Sequence, residues 1–337
     1  MTGRGIGKPR NLSSVEQARL ERFERTMKNR RGRSQPSVVP AKLARTSAFA
    51  ARRYGLSTDA NFQRVYVVAG YSVIEVRGRE LGSQHRDALY ALFRLRAKRI
   101  EEPNPEYNPN ITTPGLAQPR PTVAFMETRC TWRDLLLATG RTTHVNNLGT
   151  LLRVFQELQQ VIIAVFAGTY EDYLKASKLG RLAGPGFSEN ILHRIDWEGI
   201  NLDSEVSIRY GEWVRRSFEM KHLVSLNSEV YFKLRSDYAK SIWPYIDSQP
   251  AHCWIEDSKL ADLVGRDMKT DTTPQRRKFH ESCRDAFDDM VTAGGLTSWR
   301  VEELGSGRRK TKRYHYIHAL PRRGELSFHI LEDELPY

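Results

Sequence analysis

Leu148, Leu151, Leu152, Phe155 and Leu158 recur at intervals of three and four residues, so "RTTHVNNLGTLLRVFQELQQ" reads as a helix with one apolar face. The same spacing sets Leu89, Leu92 and Phe93 on one face of "QHRDALYALFRLRAKR", with Ser83 as N-cap. In "TPQRRKFHESCRDAFDDMVTAGG" the apolar line is Phe279, Cys283, Phe287 and Met290, with Thr273 as N-cap and Pro274 at the first helical position. "TWRDLLLATG" and "DSKLADLVG" are shorter helices stopped by Gly140 and Gly265. Runs rich in β-branched and aromatic residues predict strands at "FQRVYVV", "YSVIEVRG", "TVAFMET" and "AHCWIE". "VIIAVFAG" reads as a buried strand, with "ILHRIDW" as its partner after a Gly-rich gap. "TSWRVEEL" and "TKRYHYIH" form a hairpin around Gly305-Ser306-Gly307.

Two stretches lack any such period. Residues 1–60 carry a helical pattern only around Val15 to Lys28 and read as a basic, largely disordered arm. Residues 101–122 hold six of the fifteen prolines, which excludes helix and interior strand and predicts an exposed loop inserted in a domain.

The remaining elements repeat. Each half runs helix, short strand, short helix, glycine, longer helix, hairpin, and "FMETRCTWRDLLLATG" matches "WIEDSKLADLVG" in strand, acid, hydroxyl residue, leucine pair and terminal glycine. This order predicts an α+β chain of two tandem winged-helix domains behind the arm. The expected boundaries are an arm at 1–60, a first domain at 61–200, a second at 201–325 and a tail at 326–337.

Charge sharpens this picture. Of the net +13, +11 lies in residues 1–53, so the rest of the 337-residue chain is nearly neutral and any polyanion surface there must come from segregation. Segregation is present in the last hairpin, where five of the six residues 308–313 are basic: Arg308, Arg309, Lys310, Lys312 and Arg313. Like charges placed this close repel, so either the hairpin is merely solvated or it has an anionic partner, and the repeated architecture favours the partner. The longer helix of the first unit offers Arg141, Thr142, Thr143, Asn146, Asn147, Thr150 and Arg153, and that of the second offers Gln275, Arg276, Arg277 and His280, for base edges or phosphates.

No catalytic, metal or cofactor constellation emerges. Cys130, Cys253 and Cys283 are scattered and read as buried thiols of a reducing compartment. "GRGIGKPR" departs from a phosphate-binding loop at Lys8-Pro9, and His315 and His318 fall on opposite faces of a strand. Neither a membrane span nor a signal peptide is visible, so the expectation is a non-enzymatic, cytoplasmic protein.

Three blocks, "VIEVRGRELGSQHRDALYALFRLR", "FMETRCTWRDLLLATGRTTHVNNLGTLLRVFQEL" and "LNSEVYFKLRSDYAKSIWPYIDSQ" leading into "RRKFHESCRDAFDDMVTAGGLTSW", resemble the theta-type plasmid replication initiators of the RepA/TrfA type. The resemblance covers about residues 62–320. It implies binding of repeated origin sites (iterons) in double-stranded DNA, opening of the origin, and recruitment of a bacterial host's helicase and sliding clamp. It also implies a dimer in equilibrium with a monomer, the first domain carrying much of the dimer contact. The family's clamp-binding peptide has only a partial match in "ARTSAF", which makes Phe49 a clamp-binding candidate. The alternative reading is a transcriptional repressor with duplicated winged helices.

Overall fold

The structure is a computed structural model that describes residues 37–46, 48–68, 72–95, 97–107, 120–140, 142–179, 186–249, 252–266, 268, 271–305 and 311–319. The second half follows one simple path. Helix α8 (Asp237–Asp247) leads into strand β11 (Trp254–Glu256), helices α9 (Asp257–Val264) and α10 (Thr273–Thr292), and the hairpin β12 (Leu296–Leu304) and β13 (Thr311–His318). The sheet order is β11-β13-β12, all antiparallel. Gly265 ends α9 at φ +73°, a left-handed cap that side chains with a Cβ rarely adopt. Phe279, Cys283, Phe287 and Met290 are buried on α10 as their spacing predicts, and Tyr314 of β13 stacks on Phe287 at 5.2 Å.

The first half contains the same path with additions. Helix α2 (Ser83–Arg94) is followed by strands β4 (Ala97–Pro103) and β5 (Thr122–Thr131), helices α3 (Trp132–Ala138) and α4 (Asn146–Gln159), and the hairpin β8 (Leu192–Trp197) and β9 (Glu205–Tyr210). In its sheet, β4-β5-β9-β8, the strand before the short helix pairs with the second hairpin strand, as β11 pairs with β13. The two halves therefore share a strand-pairing order, with the first-half hairpin made of β8 and β9 and not of the two strands expected from the sequence.

Several expectations need correction. "ILHRIDW" pairs with β9 and not with β6 (Ile162–Ala167), which lies between β3 (Ser72–Gly78) and β7 (Gly186–Asn190) in a separate sheet, β2-β3-β6-β7, whose β2 is Phe62–Val68. Helix α5 (Tyr170–Lys178) fills the supposed Gly-rich gap. The helix expected to run to Arg99 stops at Arg94, because Ala97–Pro103 finds a partner in β5. Pro103 is tolerated there because β4 is an edge strand. Cys253 is exposed, whereas Cys283 is buried and burial pushes the half-buried Cys130 thiol up to about 12.

The arm also ends earlier than expected. Strand β1 (Ser37–Pro40) pairs with β10 (Leu223–Leu226), helix α1 (Ala41–Ala44) follows, and Val39, Leu43 and Phe49 are core residues. Helices α6 (Glu212–Glu219) and α7 (Ser228–Lys233) flank β10 on the way to α8. Residues 1–36 lie outside the described residues, as does the tail from residue 320.

Helix α2 joins the halves and is buried over most of its surface. Arg86 donates to the Ser241 hydroxyl at 2.8 Å and to the Phe49 carbonyl at 2.8 Å. Asp87 accepts from Lys240 Nζ at 2.7 Å and from the Tyr231 hydroxyl at 2.9 Å. At its start, Gly82 and not Ser83 is the N-cap, and His85 Nδ1 accepts from the Gly82 N–H at 3.0 Å. His85 therefore carries its proton on Nε2 and donates it to Glu157, 2.7 Å away, which also binds Arg79.

This cap gives the fold a pH limit. Burial is the leading cause that holds the His85 imidazole below its usual value of 6.5, outweighing the Glu157 carboxylate. Between the lowered value and 6.5 the unfolded chain binds more protons, so stability is full above 6.5 and falls as pH drops through that window. Denaturant melts from neutral to mildly acidic pH are expected to show this fall, and His85→Gln, which keeps an acceptor but cannot titrate, is expected to flatten it. Equal pH dependence in the two proteins would remove His85 as the cause.

Candidate nucleic-acid interface

The loop and first turn that lead into α10 are braced from inside. Thr272 is the N-cap, one residue before the expected Thr273, and Gln275 Oε1 accepts from the Thr272 N–H and hydroxyl at 2.8 Å each. Arg266 donates to Asp271 at 2.6 Å and to the Gln275 carbonyl at 3.0 Å, while Arg276 donates to the Met268 carbonyl at 2.9 Å. Gln275 and Arg276, expected at base edges or phosphates, are exposed and already hold the turn through these hydrogen bonds. Gln275→Ala is expected to cost about 1 kcal/mol through loss of the capping box. It should leave sequence preference intact in a binding-site selection; relaxed specificity would restore the base-reading role.

Beyond this turn the solvent face of α10 carries Arg277, Lys278, Glu281 and Arg284. Arg277, His280, Glu281 and Arg284 line a cleft whose far wall is Lys312 of β13. Lys312 also reaches Glu303 at 3.6 Å, and its backbone N–H donates to Asp257 at 3.2 Å, which pins β13 to α9. His280 is half-buried, with Nδ1 3.3 Å from the Tyr314 hydroxyl. Burial first and then the Lys312 charge hold its imidazole below the usual value; Asp257 pulls the other way, followed by a lesser lowering from Arg284 and a lesser raising from Glu303.

Arg313 differs from its neighbour. Its guanidinium sits 4.2 Å from the centre of the Trp254 ring and donates to Glu256 at 3.0 Å, so it fastens β13 to β11 instead of projecting outward. His315 pairs with Glu302 across the hairpin at 2.7 Å. Arg308, Arg309 and Lys310 lie outside the described residues, as does Arg141.

In the first unit Thr142, Thr143 and Asn146 are exposed at the start of α4, and Thr150 is half-buried. Asn147 donates to the Thr142 carbonyl at 3.0 Å and so serves the turn. Arg153 is exposed one turn on, 4.0 Å from Glu157. The β8–β9 hairpin is acidic where the β12–β13 hairpin is basic: Asp196, Glu198, Asp203 and Glu205 cluster near its turn, and Arg133 of α3 is held by Asp203 at 2.8 Å. The turn of the first hairpin and the sequence of the last one thus carry opposite charge.

The side chain at position 49 is wholly buried, with the Arg86 guanidinium 5.3 Å from its ring centre. Phe49 therefore belongs to the core between the halves and presents no anchor to a clamp.

Sequence reasoning missed Arg284 and Glu281. The signal was available, since 277, 281 and 284 repeat at helical spacing opposite Phe279, Cys283 and Phe287.

No family model and no curated protein matches the sequence. Among solved structures, domains 2 and 3 of RctB superpose with a TM-score of 0.50 at 11% identity, covering 82% of this chain and 98% of that one. A second structure of the same domains gives 0.44 at 12% identity, over 82% and 96% of the two chains. The Pi initiator protein in complex with iteron DNA gives 0.40 at 10% identity, over 57% and 81%. At this identity the likeness is one of fold alone, shared with domains 2 and 3 of RctB.

Proposed function

We propose that the protein is a replication initiator that binds repeated sites in duplex DNA through two tandem winged-helix units, α10 and the β12–β13 wing supplying the main contact. The observation that carries the reading is the convergence of Arg277, His280 and Arg284 of α10 with Lys312 of the wing on one open cleft. Three of these groups are fixed cations, and the exposed face of a long helix beside a basic hairpin matches the groove and backbone of DNA in shape and charge. The fold shared with domains 2 and 3 of RctB is consistent with this role.

Base reading then falls to Arg277 and Lys278 at the helix face, and phosphate contact to Arg284 and Lys312. The first unit, with its acidic wing, contributes through Thr142, Thr143 and Asn146 and offers a surface for a second copy or a host replication protein. In this reading the chain catalyses no reaction; it melts DNA by binding and bending it.

Footprinting of the purified chain on its own replicon, at about 150 mM salt to suppress non-specific binding, tests the proposal. Protection of several direct repeats beside an A·T-rich stretch is expected. A single protected inverted repeat at a promoter would favour a repressor instead, and an unprotected replicon would remove the DNA-binding reading.

A further inference from the structure

The cleft between α10 and β13 has a property that a plain basic patch lacks. Its volume is about 350 Å³, and its walls bring three permanent cations, Arg277, Arg284 and Lys312, around a histidine that is half withdrawn from water. The His280 Nδ1 is engaged by the Tyr314 hydroxyl at 3.3 Å, which leaves Nε2 for a ligand. We propose that this cleft seats one phosphodiester of the DNA backbone and that His280 takes up a proton as the phosphate enters. This role deepens the DNA-binding reading and rests on it.

Electrostatics couples the two events. In the empty cleft, burial and the like charges of Lys312 and Arg284 keep the imidazole neutral at physiological pH. Asp257 of α9 and Glu303 of β12 pull the other way and are outweighed, and Glu281 is the acid on the cleft wall among the described residues. A phosphate oxygen changes the balance. Its charge offsets the repulsion from Lys312 and Arg284, and Nε2–H of the imidazolium becomes a charge-assisted donor to it. Tyr314 follows either state, because its hydroxyl can donate to neutral Nδ1 or accept from a protonated one. The proton comes from solvent and stays on His280 while the phosphate is bound. Binding and protonation are therefore linked, and each strengthens the other by the same factor.

The ligand chemistry is a phosphate oxyanion, which DNA or free phosphate could supply; the position of the cleft beside the exposed face of α10 commits it to DNA. The test measures the affinity of the full chain for a duplex carrying its footprinted sites at constant ionic strength, between about pH 6 and pH 8. Wild-type affinity is expected to rise as pH falls, by up to about tenfold per pH unit within the titration window. His280→Gln is expected to lose that part of the slope. His280→Arg, permanently charged, should be flat and should bind at the alkaline end as the wild type does at the acid end. The His280 ring proton is followed by NMR with duplex or with inorganic phosphate. A shift of its titration to higher pH with duplex is expected.

Equal pH slopes in wild type and His280→Gln would overturn the proton-coupled seat while leaving DNA binding intact. A titration moved by inorganic phosphate and not by duplex would overturn the assignment to the backbone. Absence of duplex binding by the wild type at every pH would overturn the DNA-binding reading itself.

Discussion

Asp87→Ala is expected to lower the unfolding free energy by about 3–5 kcal/mol, because it strands a charge in the joint between the two halves. Asp87 is 6% exposed and Lys240 5%. The carboxylate is the acceptor for both the Lys240 ammonium at 2.7 Å and the Tyr231 hydroxyl at 2.9 Å, so truncation leaves two buried donors without it. The nearby Arg86 offers no relief, being itself a cation held by Ser241 and the Phe49 carbonyl. Removing both charges together is a different matter. Asp87→Leu with Lys240→Met keeps the volume and removes the ion pair as a unit, leaving the Tyr231 hydroxyl without its acceptor, so a large part of the stability should be recovered. Chemical denaturation of the single and double variants measures both quantities. A loss below about 1 kcal/mol for Asp87→Ala would mean that water reaches the pair and that the joint is loose.

The second large effect concerns DNA. Arg277→Ala combined with Arg284→Ala removes two of the three permanent cations of the α10 cleft. Each phosphate that is no longer neutralised should reduce the slope of log affinity against log salt by about 0.9, and the cleft seats one phosphodiester, so the double variant should be shallower by roughly one unit. Arg277 and Arg284 sit two turns apart on one face, and their separate contributions can be told apart by sequence. Arg284→Ala should weaken specific and random DNA alike, whereas Arg277→Ala should also relax preference at one position of the site, at a cost of about 1–3 kcal/mol. Fluorescence anisotropy over a range of salt concentrations gives the slope, and binding-site selection gives the preference. Salt slopes equal to that of the wild type would show that the cleft does not meet the backbone.

Both effects depend on residues whose role could be read only in part from the chain. Phe279, Cys283, Phe287 and Met290 announce the buried face of α10 by spacing alone, and thereby the exposed one. What spacing does not reveal is which exposed groups are already occupied. Gln275 and Arg276 stand beside Arg277 in sequence, yet one closes a capping box and the other holds the Met268 carbonyl. Arg313 neighbours Lys312, yet alternation along β13 sends it to the opposite face, onto Trp254. In each case a local hydrogen bond or ring interaction competes with the ligand for the same side chain.

The joint between the halves was the least legible part. Val39, Leu43 and Phe49 lie in a basic stretch with no sustained apolar period, because β1 and α1 are too short to show one. Their burial comes from β10, α2 and the second unit closing over them. Likewise the sequence reading pairs "ILHRIDW" with "VIIAVFAG", because it does not recognise "EVSIRY" as a strand. The choice of β9 follows from sheet closure, with β6 taken up between β3 and β7.

Local order along the chain carried the repeated succession of elements, the amphipathic faces of α4 and α10, the glycine stops and the concentration of charge in the last hairpin. These depend on interactions between residues a few positions apart, whose geometry a helix or strand sets in advance. Packing of distant elements was needed for the pairing of β5 with β9, the fate of Phe49 as core, the burial of Asp87 with Lys240, and the meeting of Arg284 with Lys312 across the cleft. The last two of these join residues 153 and 28 positions apart, and their energy depends on how the packed elements exclude water.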